Sequence, residues 1–202
     1  MQDQYSQNTY YLVRHGEATN SLQGILNAAV QNEYHLTVRG KAQVQATAQY
    51  LERYPIDFIV TSPLARAKET ASIIQKHAQV SLSIDARLTE AQFGSFEGQD
   101  IQSFLQFMQE HGGRVAGDPS HRIEGYMDIR DRVRTLLADI QTSFRGKHIV
   151  LVSHLDTLQE LYAELLGEPV GAEQGEHGWY PEKGSCTVMR LAESPHFFIP
   201  ER

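Results

Sequence analysis

Short apolar runs alternate along the chain with stretches whose apolar residues recur every three or four positions. Thr9 to Val13 is an apolar, β-favouring run and predicts a buried strand. Thr37 reads as an N-cap, and Val44, Ala48 and Leu51 then follow at the spacing of one buried helix face, before Pro55 stops the helix. Phe58 to Thr61 predicts a second strand, and Ser62-Pro63 a helix start, with Ala67, Ala71 and Ile74 as the apolar face. Val80 to Ile84 predicts a third strand. Ile129, Val133, Leu136, Leu137 and Ile140 mark an amphipathic helix, Ile149 to Val152 the clearest buried strand, Thr157 to Leu166 a helix ended by Gly167, and Cys186 to Leu191 a final strand after a loop from Glu168 to Gly184.

Strands alternating with helices predict an α/β fold: one domain over residues 1–202, with a mainly parallel sheet and helices on both faces. Between Glu90 and Gly125 the period weakens. Ile101 to Glu110 looks helical and Gly112-Gly113 ends it, but the next dozen residues show no pattern. That stretch is expected to be an insertion, a short lid over about residues 95–125.

Composition narrows the class. The chain has 202 residues, 41% hydrophobic and 21% charged, enough for an ordinary core without disulfides. The single cysteine, Cys186, excludes an internal disulfide and a multi-cysteine zinc site. A net charge of −7 argues against nucleic-acid binding through a broad basic field, yet leaves room for a small anionic substrate held by a few local arginines. No apolar run approaches the roughly 18–20 residues of a membrane span. Met1 to Asn8 is polar without Lys or Arg, so no secretory leader and no membrane partner are expected, and the cytoplasm is the expected location.

In such a sheet, ligands gather beyond the carboxyl ends of the strands. The first strand is followed by Arg14-His15-Gly16-Glu17, the second by Thr61-Ser62 with Arg66 a turn later, the third by the loop carrying Glu90, and the fourth by Ser153-His154. Any one of these residues has an ordinary structural explanation. Two histidines, two arginines and a carboxylate converging on one end of one sheet suit phosphoryl transfer. Arginine offers a forked donor set matching phosphate oxygens. A neutral imidazole can attack phosphorus, and a carboxylic acid can protonate a leaving oxygen. No metal-ligand spacing such as H-E-x-x-H appears, and the arginines would repel a cation, so no metal or other cofactor is expected.

Several of these segments together resemble the histidine phosphatase superfamily, in its phosphoglycerate mutase-like branch. Leu12 to Asn20 is similar to the family signature, Leu36-Thr37-Val38-Arg39-Gly40 to its L-T-x-x-G helix start, and Thr61 to Ala71 to its second-arginine motif. Leu88-Thr89-Glu90 with Phe93-Gly94 and Glu97-Gly98 is similar to its acid loop, and Val150 to His154 to its second-histidine motif. The resemblance implies that His15 is the nucleophile that becomes phosphohistidine. It implies that Arg14, Arg66 and His154 bind the transferring group, and that Glu90 is the general acid and later the base that activates water. It also implies an asparagine contact to phosphate, which Asn20 supplies in preference to Ser21. Ser62 is read as a helix cap.

The chain departs from the family pattern directly after the second histidine, where Leu155-Asp156 replaces the usual small residue. Leu155 could narrow the pocket, whereas Asp156 or Thr157 is expected to cap a helix and face away. The leading expectation is a phosphomonoesterase acting on a small phosphorylated metabolite. A phosphoglycerate mutase and a non-catalytic phospho-ligand binder are the alternatives; the 64 positions between Glu90 and His154 resemble the shorter phosphatase members. His121, Arg122, Arg114 and Lys183 are candidates for a second anionic contact, each more simply a solvated loop charge.

Overall fold

The computed structural model describes residues 8–112, 118–168, 179–190 and 196–200. Six strands form one sheet. They are β1 (Thr9–Arg14), β2 (Phe58–Thr61), β3 (Ser81–Ile84), β4 (His148–Ser153), β5 (Cys186–Arg190) and β6 (His196–Phe198), in the spatial order β3-β2-β4-β1-β5-β6. The pairs β1–β4, β4–β2 and β2–β3 are parallel, with Leu12 opposite Leu151 at the centre. The last two strands turn back: β5 is antiparallel to β1, and β6 to β5. The three-residue β6 was not expected, because so short a segment shows no period of its own.

The central strands are covered on both faces, which is why they read as continuous apolar runs. Tyr10, Leu12, Ile149 and Leu151 pack with Ile129, Val133 and Leu137 of α5 (Tyr126–Ser143) and with Leu158 and Leu161 of α6 (Leu155–Leu166). The alternate residues Tyr11, Val13, Val150 and Val152 pack with Val44, Ala48 and Leu51 of α2 (Val38–Leu51) and Ala67, Ala71 and Ile74 of α3 (Ala65–Ala78). The chain after β1 leads to α2 on one face and the chain after β4 leads to α6 on the other. A crevice therefore opens between the carboxyl ends of these two neighbouring strands.

Two glycines make that crevice possible. A Cβ on Gly16 would lie 2.5 Å from the Gly40 carbonyl oxygen, and one on Gly40 would lie 2.0 Å from that of Glu17. The loop after β1 and the first turn of α2 thus touch backbone to backbone. Thr37 caps α2 as expected, its Oγ1 accepting the Gly40 N–H at 2.9 Å.

Two helix starts differ from expectation. Leu64, not Ser62, is the N-cap of α3, because Leu64 is still extended. Likewise α6 begins at Leu155 with His154 as N-cap, so neither Asp156 nor Thr157 caps it. The strand ends at Ser153 and the helix starts two residues later, which draws Asp156 into the first turn.

Helix α4 (Ile101–Glu110) follows the expected bounds, and Asp100 caps it by accepting the Ser103 N–H at 3.0 Å. Its buried side chains, Phe104 and Met108, join Leu26, Ala28, Phe93 and Ile123 in a small cluster apart from both faces of the sheet. The loop after β1, which includes the short helix α1 (Thr19–Gln23), is tied to this wall by backbone hydrogen bonds from Leu26 to Gln99 and from Ile101 to Gly24. The expected insertion is, in its described part, a packed wall. Arg114 lies outside the described residues.

Candidate active site

The wall and the residues at the carboxyl ends of β1 and β4 border a half-open cavity of about 630 Å³. That is larger than a phosphate needs and within the range of small-molecule sites. Arg14, His15, Asn20, Arg66 and Glu90 all line it, and His154 lies directly behind His15 with ring centroids 5.0 Å apart.

His15 is held in one tautomer. Its Nδ1 lies 2.7 Å from the Gly16 carbonyl oxygen and can only donate there. Its Nε2 accepts the Arg66 Nε–H at 3.2 Å. The lone pair is therefore on Nε2, and both partners hold the ring in place. Burial, then Arg66 and Arg14, push the His15 pKa well below the ordinary histidine value. An imidazole kept neutral with a fixed lone pair is chemically a nucleophile in waiting.

Arg66 is almost fully buried. Its Nη1 donates to Asn27 Oδ1 at 2.7 Å and its Nη2 to the Asn27 carbonyl at 2.8 Å. Burial outweighs the attraction of Glu90 and Glu97 and lowers its pKa to about 10, which leaves it charged at neutral pH. Asn27 is itself fixed: its Nδ2 donates to Glu97 Oε1 at 3.0 Å, and Glu97 also accepts the N–H groups of Ala28 and Ala29. Arg14 donates from Nη1 to the Pro181 carbonyl at 2.8 Å and lies over the Tyr180 ring, while its Nε is buried without a hydrogen-bond partner. A buried cationic donor with spare capacity in a cavity wall suits an anion.

His154 is fully buried, with Nε2 2.8 Å from Ser62 Oγ. Ser62 also accepts the Leu64 N–H at 3.3 Å. It is thus a support behind His154 and not the cap it was expected to be. Burial, then Arg66, His15 and Arg14, hold the His154 pKa well below its ordinary value.

Glu90 is buried, its Oε1 accepting the Ala91 N–H at 3.0 Å and its Oε2 the Leu155 N–H at 3.1 Å. Burial and the nearby Asp156 raise its pKa against the opposing pull of the arginines. Asp156 corrects an expectation: it lines the same cavity instead of facing away. Leu155 lines it too. Asn20 and Ser21 both reach the cavity, but the Asn20 amide nitrogen is committed to the Ile25 carbonyl at 3.0 Å and its Oδ1 is buried without a partner.

Of the candidates for a second anionic contact, Lys183 lines the cavity, and burial and Arg14 lower its pKa. His121 instead pairs with Asp118 at 2.9 Å, and Arg122 is exposed. Asn27 escaped the sequence reading. It sits in a loop with no period, and an asparagine there looks like any turn residue. Among the described residues, no three His, Cys, Asp or Glu side chains are grouped to hold a metal ion.

The same architecture recurs in solved proteins. The chain superposes on the α-ribazole phosphatase of Shigella flexneri with a TM-score of 0.77, at 24% identity over 95% of both chains. It superposes on a mycobacterial glucosyl-3-phosphoglycerate phosphatase with a TM-score of 0.76, at 23% identity over 89% of this chain and 90% of the other. At such identity the likeness is one of fold. A Salmonella choleraesuis protein named “Probable phosphoglycerate mutase GpmB” is 33% identical over 174 residues, 81% of this chain and 77% of the relative. The sequence model of the histidine phosphatase superfamily (branch 1) matches residues 10–195, and the chain belongs to that family.

Proposed function

We propose that this protein is a metal-independent phosphomonoesterase acting through a phosphohistidine at His15. The observation that carries this reading is the fixed lone pair: Nδ1 bound to the Gly16 carbonyl, Nε2 beneath Arg66. In the first step His15 Nε2 forms a bond to phosphorus, the bond to the alcohol oxygen breaks, and Glu90 gives that oxygen its proton. In the second, Glu90 takes a proton from water, the water oxygen bonds to phosphorus, and the N–P bond breaks to release phosphate. Arg14 and Arg66 offset the charge on the transferring oxygens. His154, neutral in the free protein, gains a proton when the dianion binds beside it. The buried cations Arg14 and Arg66 stand where a metal enzyme would place ligands, which supports metal independence. Asn20 is proposed as a wall of the phosphate end, through the loop it ties to Ile25.

Quenching turnover with a substrate labelled in its phosphoryl group is expected to trap the label on His15, with none in His15→Ala. Full activity in His15→Ala would overturn the mechanism. The name carried by the Salmonella relative favours a second reading, a phosphoglycerate mutase. On that reading, label supplied as 3-phosphoglycerate returns in 2-phosphoglycerate instead of inorganic phosphate.

A further inference from the structure

Arg66 carries a buried charge whose hydrogen-bond partners are neutral. Its Nε–H goes to His15, and its two terminal nitrogens go to the side-chain and main-chain oxygens of Asn27. Each terminal nitrogen keeps one further N–H, which a phosphoryl oxygen can take. The guanidinium therefore meets an anion in the place and orientation that Asn27 sets.

Asn27 is set in turn by Glu97. The Asn27 amide nitrogen is fully used: Nδ2 donates to Glu97 Oε1 and to the Ala29 carbonyl, each at 3.0 Å. An ionised carboxylate can only accept, so Glu97 decides which end of the amide turns toward Arg66, and the oxygen does. Glu97 also accepts the Ala28 N–H at 2.9 Å and the Ala29 N–H at 3.1 Å, so one carboxylate holds the whole turn that carries Asn27. Glu97 is not among the described residues that line the cavity, and it reaches the reacting atoms through this chain of contacts.

Charge matters as well as direction. Glu90 and Glu97 both draw on Arg66 electrostatically. On the proposed mechanism Glu90 is protonated before the first step and ionised after it, so its charge comes and goes. Glu97 stands away from the reacting atoms and keeps its charge throughout. Building on the phosphomonoesterase reading, we propose that Glu97 is a positioning residue for phosphoryl transfer: through Asn27 it orients the Arg66 guanidinium beside His15, and it gives that guanidinium a counter-charge that persists while Glu90 cycles its proton.

Glu97→Gln keeps the size of the side chain but replaces a pure acceptor with a group that can also donate. The assay uses 4-nitrophenyl phosphate, whose phenolate leaves without full protonation and so reads Arg66 more than Glu90. In Glu97→Gln, kcat is expected to fall about 10-fold to 100-fold, with a smaller rise in KM. Glu97→Asp, which keeps the charge on a shorter stem, is expected to lose less. A double-mutant cycle with Asn27→Ala separates positioning from general loosening, all variants being assayed below their thermal midpoints. Residues acting in series leave the double variant no slower than Asn27→Ala alone, whereas independent defects multiply. Calorimetric titration with inorganic phosphate runs the same cycle without turnover: affinity should weaken about 3-fold to 10-fold in each single variant and no further in the double. An unchanged kcat in Glu97→Gln, or losses that multiply with those of Asn27→Ala, would overturn the inference. A phosphate-binding cycle that behaves as expected, in a protein that releases no phosphate from any ester, would sink the phosphatase reading and spare the role of Glu97.

Discussion

The two ends of the cavity are built differently. The His15 end rests on the sheet. Residues His15 and His154 directly follow β1 and β4, strands hydrogen-bonded to neighbours on both sides and covered by helices. The wall end rests on a satellite cluster, joined to the loop after β1 by a few backbone hydrogen bonds and standing apart from both main cores. The first arrangement holds costly buried charges in fixed geometry, because the sheet cannot relax around them. The second is a small local core whose buried side chains group apart from those that pack on the strands. On the proposed reading, the chemistry falls to the end that rests on the sheet, and the satellite cluster forms the other wall of the cavity.

Removing the proposed proton donor, Glu90, should have the largest effect. Glu90→Gln is expected to lower kcat for alkyl phosphates by about 10²-fold to 10⁴-fold, and less for aryl phosphates, whose phenolate leaves without full protonation. Equal losses on both ester types would take Glu90 out of that role.

The wall is broken by Phe104→Ala. Truncating a buried phenylalanine costs about 3–5 kcal/mol in a main core, and the lower figure is expected here, since this ring also faces the cavity. Urea unfolding should show that loss, while competitive inhibition by inorganic phosphate stays near wild type. Phosphate affinity falling in step with stability would show that the two ends are not separable.

Asn27 lies between the ends, holding Arg66 from the loop that leads into the wall. Asn27→Ala should lower kcat by up to about 100-fold through misplacement of the guanidinium. Its thermal midpoint should also fall, since Arg66 and Glu97 each lose a buried hydrogen bond, and its KM should change less than its kcat. A change in KM alone would make Asn27 part of the alcohol site.

The smallest expected effect is on stability against pH. Both His15 and His154 have folded-state pKa values held below the unfolded value of about 6.5. The folded protein then binds fewer protons than the unfolded chain. The contribution is present above about pH 6.5 and lost as pH falls below it, by up to about 1.4 kcal/mol per pH unit for each histidine. Glu90, raised in the folded state, works the other way: its contribution is present in acid and lost as pH rises. Thermal midpoints measured between pH 7.5 and 5.5 should fall in the wild type and fall less in His154→Gln. An unchanged slope would place the acid sensitivity elsewhere in the molecule.

Much of the sheet end was legible beforehand. The central strands β1, β2 and β4 are apolar runs, and His15, Arg66 and His154 follow one of them or lie in the first turn of the next helix, whereas Glu90 lies on the loop after the alternating, exposed edge strand β3. Locating the runs therefore located His15, Arg66 and His154, and Glu90 only to the loop after the third strand. Asp156 was misread because helix starts are ambiguous by a residue or two. With the start at Leu155 instead of Thr157, the same aspartate moves from a cap into the cavity. Ser62 was misread in the same way, its hydroxyl reaching His154 across 92 positions of sequence.

Hydrophobic periodicity is a local property, and by itself it determined the α/β class, the parallel strands and the residues at their ends. The tertiary structure alone decided that Asn27 grips Arg66 across 39 positions, that Glu97 braces Asn27, and that Asp156 stands beside Glu90. Those contacts depend on the path of loops between elements, and loops carry no repeating pattern that could announce where their side chains meet.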